Sequence, residues 1–390
     1  MKILITTECY SPVINGVVTS VVNLHQELIN LGHEVRILTL SGKLRSFEKD
    51  GVTYIGSLGI GKIYPGARVA LTTENVYLKT IVEWEPDIIH SQSEFSTFQM
   101  ARHMAKKLHI PIVHTYHTIY EDYTHYFSPN KKWGKAMAAR FTKTILKHTE
   151  CVIAPTDKVR CLLEDYGVNQ KIQVVPTGIN LELYVKEVEN TKKQQLRDRI
   201  GIPRNHKVLL SVGRLAKEKN LEEIILFLST LQTGNFTLLI VGDGPHRSFL
   251  EKYVGELGLS KKVIFIGMVL PEEISAFYQL GDVFVSASNS ETQGLTYLEA
   301  MANGTPALCR KDACLEKVIV SGVNGWQFSS YEEFVKGLES LLKYRDLISQ
   351  NARLDVISNY SSAVFVKRVE KIYRNAIQQY SLKENELLPQ

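Results

Sequence analysis

Short apolar segments rich in Ile and Val recur at residues 2–6, 35–40, 87–90, 112–116 and 152–155, each separated from the next by a helix-length stretch. Runs this short, without a polar face, read as buried parallel strands joined by helical crossovers. A second series follows at 208–212, 237–241, 263–266 and 283–287. An α/β pattern that occurs twice predicts two doubly wound domains. The length of 390 residues allows them.

Between the two series, residues 182–207 are dense in charge and lack β-branched runs, which suits a surface connection with a short helix. The expected domains are therefore residues 1–180 and 181–360. Residues 361–380 place Val364, Phe365, Val369, Ile372, Tyr373 and Ile377 at helical spacing, an apolar face that must be covered and can pack back on the first domain. Doubly wound sheets bind ligands at the carboxyl ends of their strands, so ligands are expected between the domains.

Hydrophobic residues at 44% and charged residues at 22% exclude a mainly disordered chain. The net charge of +5 is too small for a nucleic-acid coat. Its distribution is uneven: residues 100–150 hold nine Lys or Arg against three acidic residues, which marks where an anionic partner would be met. Five cysteines without a C-x-x-C pair fit neither a disulfide framework nor a zinc ribbon and suggest a reducing cytoplasm. No stretch has the roughly 18 apolar residues of a spanning helix, so any membrane contact is expected to be peripheral.

The segment ETQGLTYLEAMANGTP, residues 291–306, follows the strand-like VFVSAS and reads as strand, loop and helix start. Free N–H groups around Gly294, Leu295 and Thr296, with the positive end of the helix dipole, would favour a phosphate there. Glu299 falls in the first turns of the helix and Glu291 on the loop. A plainer alternative is a T-x-x-E capping box formed by Thr296 and Glu299. The segment SVGRLAKEKN, residues 211–220, also follows a buried strand and places Arg214 and Lys219 at its end. A guanidinium grips phosphate oxygens through two donors and an ammonium adds a point charge, so the pair could stabilise a departing diphosphate without metal. The alternative is a solvated charged turn.

Together these segments resemble the E-x7-E and G-R-x4-K signatures of the retaining family 4 glycosyltransferases. The resemblance implies the GT-B fold, two Rossmann-like doubly wound α/β domains facing across a cleft, the second holding a nucleotide sugar. It implies that Glu291 lies by the donor sugar, Glu299 holds the ribose hydroxyls, the backbone of Gly294, Leu295 and Thr296 holds the diphosphate, and Arg214 and Lys219 stabilise it as it leaves. No D-x-D motif is present, and neither metal nor cofactor is expected besides the nucleotide-sugar substrate.

Weaker matches follow the same pattern. Gly16, after the first strand, corresponds to the family's glycine loop, with Asn15 where a second glycine is common. The turn IVGDGP, residues 240–245, resembles the family's G-D/E-G-P turn and points to fold, not catalysis. In HTYHTIYEDYTHY, residues 114–126, His117, Glu121, Asp122 and His125 are clustered, but strand alternation should send His114 and His117 to opposite faces, and no metal set at helical spacing follows. The readings left are a structural histidine or, by resemblance, a His117 that touches the donor's hydroxyls. Met268 and Glu272 lie in GMVLPEE, which resembles the loop that holds the nucleobase.

Residues 131–147 carry Lys131, Lys132, Lys135, Arg140, Lys143 and Lys147, no acidic residue, and Trp133, Met137, Phe141, Ile145 and Leu146 at helical spacing. A basic amphipathic helix with aromatics binds anionic lipid surfaces, though the same stripe could pack inward. A further loop, residues 57–71, offers Ile60, Ile63 and Tyr64 beside Lys62 and Arg68. Over most of its length, with ECYSPVINGVVTSVVNL and HTYHTIYEDYTHY as the best stretches, the chain is similar to bacterial diacylglycerol glucosyltransferases. That implies transfer of a hexose, glucose from UDP-glucose, to diacylglycerol or a related glycolipid by an enzyme peripheral on the cytoplasmic face of the cell membrane. A polyprenyl-linked or soluble glycan acceptor, a phosphorylase-like enzyme on the same fold, and an inactive nucleotide-sugar-binding module are the alternatives.

Overall fold

The amino-terminal run forms β1 (Lys2–Thr6), from which the first sheet winds outward in both directions. The order of elements is α1 (Gly16–Asn30), β2 (Glu34–Leu40), β3 (Phe47–Lys49), β4 (Val52–Ile55), β5 (Ser57–Gly59), β6 (Arg68–Ala70), α2 (Val76–Trp84), β7 (Ile88–Ser91), α3 (Ser96–Leu108), β8 (Ile112–Thr115), α4 (Lys131–Leu146), β9 (Cys151–Ala154), α5 (Asp157–Asp165) and β10 (Lys171–Val174). The sheet order is β10-β9-β8-β7-β1-β2-β4-β3. It is parallel except for β3, which runs antiparallel to β4, and β5 pairs with β6 in a separate hairpin. The winding reverses between β1 and β7. This is a computed structural model that describes residues 1–13, 15–59, 68–70, 72, 75–121, 130–231 and 234–387.

The second series builds α6 (Leu181–Tyr184), α7 (Asn190–Ile200), β11 (Lys207–Val212), α8 (Leu221–Thr230), β12 (Phe236–Val241), α9 (Arg247–Glu256), β13 (Val263–Gly267), α10 (Ile274–Leu280), β14 (Val283–Ser286), α11 (Leu295–Ala302), β15 (Ala307–Arg310), β16 (Gly325–Phe328), α12 (Tyr331–Lys343) and α13 (Arg345–Asn359). Its sheet is parallel throughout, in the order β13-β12-β11-β14-β15-β16. One unit thus comprises Ile179–Ser361, and the other Met1–Gly178 with Ser362–Gln390. The charged stretch 182–207 is more than a connection: Tyr184, Leu196 and Ile202 are buried in the core of the second unit.

Both sheets are covered on both faces, as parallel strands require. In the first unit Ile3 and Ile5 pack with Val21, Leu24 and Leu28 of α1, while Leu4 faces Phe98, Ala101 and Met104 of α3. The long α14 (Ser362–Leu387) returns to the first face and adds Phe365, Val366, Val369, Ile372, Tyr373 and Ala376 to that core. Burying each large apolar side chain contributes roughly 1.5–3 kcal/mol, which is what fixes this helix to the sheet.

A buried polar contact sets its register. His90 of β7 lies with Nδ1 2.5 Å from the Tyr373 hydroxyl of α14 and Nε2 2.7 Å from Thr115 Oγ1 of β8. Burial holds the imidazole well below its ordinary pKa, so it is neutral, with one nitrogen donating and the other accepting. Tyr373→Phe would leave one nitrogen without a partner. The expected result is a loss of about 1–3 kcal/mol in urea-unfolding free energy.

Candidate functional site

In the second unit the winding reverses between β11 and β14. At such a reversal the loops leaving the carboxyl ends of neighbouring strands diverge and open a crevice for a ligand. The loop after β11 carries Arg214 and Lys219; the loop after β14 carries Glu291 and Gly294. Two segments far apart in sequence therefore meet. Lys219 Nζ donates to Glu291 Oε1 at 2.5 Å, with 30% and 14% of the two side chains exposed.

The position of Lys219 is set by its surroundings. It closes a single 3-10 turn, residues 217–219, ended by Asn220 in the left-handed region at φ 49°. Asn220 Nδ2 donates to Glu223 Oε2 at 2.6 Å, and Arg310 at the end of β15 donates to Oε1 of the same carboxylate. Arg214 is more open, with its guanidinium donating to Glu218 of that loop. The loop's backbone is fastened to the turn after β12: Gly213 N–H donates to Val241 O at 3.0 Å and Leu215 N–H to Asp243 O at 2.9 Å. Gly242, at φ +130°, makes this possible, because a Cβ there would lie 2.0 Å from Gly213 O. The G-D-G-P turn thus serves the site by holding the Arg214 loop.

Gly294, left-handed at φ 79°, is the N-cap of α11, so the free N–H groups of Leu295 and Thr296 open the helix. Tyr297 lies beneath, fully buried, with its hydroxyl 2.9 Å from Ser286 Oγ. The capping-box alternative is not what forms. Thr296 is already the second helical residue, and the Glu299 carboxylate accepts from Tyr278 at 2.7 Å and from Tyr184. Burial raises the Glu299 pKa, and the two phenols hold its side chain in place. A carboxylate with two donors bound still has lone pairs for further hydroxyl donors. Met268, exposed, follows β13, the outer strand of this half of the sheet, and Glu272 is exposed beyond it.

The first unit has its own reversal, between β1 and β7, and its own polar group. Gly16 is the first residue of α1, and Asn15 caps that helix by accepting from Val18 N–H at 2.9 Å. Glu8, beyond β1, accepts from Thr97 N–H at 2.8 Å, and burial pushes its carboxyl up to about 7. Glu94 holds His114 Nε2 at 3.2 Å and the Tyr120 hydroxyl at 2.6 Å. His117 Nε2 lies 2.7 Å from Gln92 Oε1, and burial pushes the imidazole down to about 4. His114 lies in β8 and pairs with Glu94, whereas His117 lies two residues beyond the end of that strand, where alternation no longer applies, and pairs with Gln92; Asp122 and His125 lie outside the described residues.

The α4 helix combines both readings of its sequence. Ala138, Thr142, Ile145 and Leu146 are buried, and Phe141 stacks on Phe95 at 5.6 Å. Trp133 and Met137, one turn apart, are 72% and 55% exposed among the exposed Lys132, Lys135, Arg140, Lys143 and Lys147. Lys135 pairs with Glu121 at 2.9 Å. The side chain of Lys131, and Ile60, Lys62, Ile63 and Tyr64 of the other basic loop, lie outside the described residues. No helix among the described residues is long and apolar enough to cross a membrane.

Sequence reasoning did not find Tyr184, Tyr278, Glu218, Gln92 or Glu94. The two tyrosines reach Glu299 from α6 and α10, and no local spacing signals a contact made across helices.

The family described as Glycosyltransferase Family 4 matches residues 14–183, and that described as Glycosyl transferases group 1 matches residues 192–359. The chain is 33% identical over 382 residues to the alpha-monoglucosyldiacylglycerol synthase of Streptococcus pneumoniae, covering 97% of this chain and 86% of that protein. It is 34% identical over 400 residues to the synthase of the same name from Acholeplasma laidlawii, covering 99% and 100%. Among solved structures, Anabaena HepE in complex with UDP and glucose superposes with a TM-score of 0.76 at 17% identity, covering 96% and 100% of the two chains.

Proposed function

Because the chain belongs to the family 4 glycosyltransferases and has their GT-B fold of two Rossmann-like units, we propose that it moves a hexose, glucose from UDP-glucose, onto diacylglycerol at a membrane surface. The observation that carries the reading is the Lys219–Glu291 pair beside the Gly294 helix start, at the reversal of the second sheet. In this reading the donor's diphosphate lies against Arg214, Lys219 and the N–H groups of Leu295 and Thr296. Glu299, held by its two tyrosines, accepts from the ribose hydroxyls. Glu291 faces the sugar, and Met268 borders the nucleobase. As the glycosidic bond breaks, negative charge gathers on the leaving phosphate. Prearranged cations and N–H groups stabilise it there without a metal and without reorganising. Configuration is retained and no protein nucleophile is invoked. Gly16 and His117 are further donor contacts in this reading, as the resemblance implies.

The acceptor side rests on the names of the relatives and on α4. Its exposed Trp133 and Met137 amid lysines suit a peripheral site on the anionic cytoplasmic leaflet, where each Lys or Arg contributes about 1 kcal/mol. The test is incubation of the full chain with UDP-glucose, UDP-galactose or GDP-mannose and vesicles containing diacylglycerol, with products identified by mass spectrometry. Glucosyl transfer to diacylglycerol is the expected result. Transfer only to a polyprenyl-linked or soluble glycan would overturn the acceptor. Changing Lys132, Lys135, Arg140 and Lys143 together to Glu is expected to weaken flotation with anionic vesicles about 100-fold or more, while transfer to a detergent-dispersed acceptor persists.

A further inference from the structure

Gln92 lies just past β7, where the first sheet reverses. Its backbone N–H donates to Thr6 O of β1 at 2.8 Å and the residue is only 2% exposed, so the side chain springs from a fixed point. From there its Oε1 meets His117 Nε2 at 2.7 Å. An amide oxygen only accepts, so the proton of this contact belongs to His117 Nε2. A neutral imidazole has one N–H, and Nδ1 then keeps its lone pair.

The geometry points to Gln92 as a positioning residue for sugar transfer: it locks His117 in the Nε2–H tautomer and so keeps Nδ1 as an acceptor for a hydroxyl of the donor sugar. This rests on the reading of His117 as a donor contact. The neighbouring charged and titratable groups leave Gln92 that role. Glu94, beyond β7, spends one carboxylate oxygen on His114 and the other on Tyr120. His114 of β8 is bound to Glu94, and His90 of β7 is bound to Tyr373 and Thr115. Burial and His114 disfavour the charged imidazolium of His117, while Glu94 favours it; burial is the largest of the three. The Nε2 amide group of Gln92 is itself buried with no hydrogen-bond partner among the described residues.

The test uses the full chain labelled with 15N-histidine. Long-range proton–nitrogen spectra are recorded for wild type, Gln92→Met and Gln92→Glu, with the His117 signal assigned by its loss in His117→Gln. Wild type is expected to show the Nε2–H tautomer. Gln92→Met, which fills the space without the oxygen, should lose that preference and about tenfold in kcat, with little change in KM for the nucleotide sugar and none in the pH profile. Gln92→Glu should raise the imidazole pKa, so that transfer is depressed near neutral pH and recovers as pH rises. An Nδ1–H tautomer in wild type, or an unchanged tautomer in Gln92→Met, overturns the proposal. If the tautomers behave as expected but both Gln92 variants and His117→Ala keep wild-type turnover, the lock is real. In that case His117's sugar contact falls, and Gln92's part in transfer falls with it.

Discussion

Lys219→Ala is expected to lower kcat for glycosyl transfer about 100- to 1000-fold, the usual cost of losing one prearranged donor to a developing anion. The variant should remain folded. Lys219 is 30% exposed on a turn whose backbone is held independently through Asn220, Glu223 and Arg310, so removing the ammonium leaves that scaffold standing. The side effect is on Glu291, which loses its ion-pair partner while only 14% exposed. A stability change of about 1 kcal/mol follows from that, small beside the catalytic loss. Steady-state kinetics with thermal melts separates the two. Turnover within about threefold of wild type would remove Lys219 from phosphate stabilisation.

The second large effect is structural in origin. At Gly294 a Cβ would lie 2.2 Å from Cδ2 and Cε2 of Tyr297, on a backbone at φ +79°. The ring cannot retreat: it is buried, edge-on to Phe284 at 5.5 Å, and tied to Ser286 through its hydroxyl. Gly294→Ala should therefore combine a left-handed backbone cost of about 1–2 kcal/mol with overpacking of about 1–3 kcal/mol. Relief requires a shift of the start of α11, which would misplace the N–H groups of Leu295 and Thr296 and weaken donor binding. Gly258→Ala is the control, since its φ of +68° is similar but no atom lies within 4 Å of the added Cβ. The two unfolding free energies should differ by the packing cost alone. Equal losses would show that Tyr297 yields.

The sequence was most informative where a signal is local. Central strands such as β1, β11 and β12 announce themselves because both faces are buried, and the two candidate-site segments because each is a contiguous strand–loop–helix start. β10 and β16 escaped: both are edge strands with partly exposed residues, and neither holds an apolar run. β15 escaped because Ala307–Arg310 is short and ends in a charge. In the site, Glu291 and Lys219 could be named from their own motifs, but not that they touch. That contact depends on β11 and β14 being neighbours, a fact of strand order to which no single segment testifies. Glu299 shows the same limit: its spacing from Thr296 suggested a local cap, and distant tyrosines claimed its carboxylate instead.

The chain leaves the first unit at Gly178 and re-enters it at Ser362, and Ile179 and Ser361 lie side by side as a β-bridge partner pair. The second unit is thus an insertion, and α14 supplies a wall of the first unit's core from the far end of the chain. On a ribosome this inverts the order in which the parts can finish. The first unit must wait, with one face of its sheet covered only in part by α1, until α14 emerges. The inserted portion already has all its own residues by then. For much of its synthesis the nascent protein is therefore a completed second unit attached to an unfinished first one.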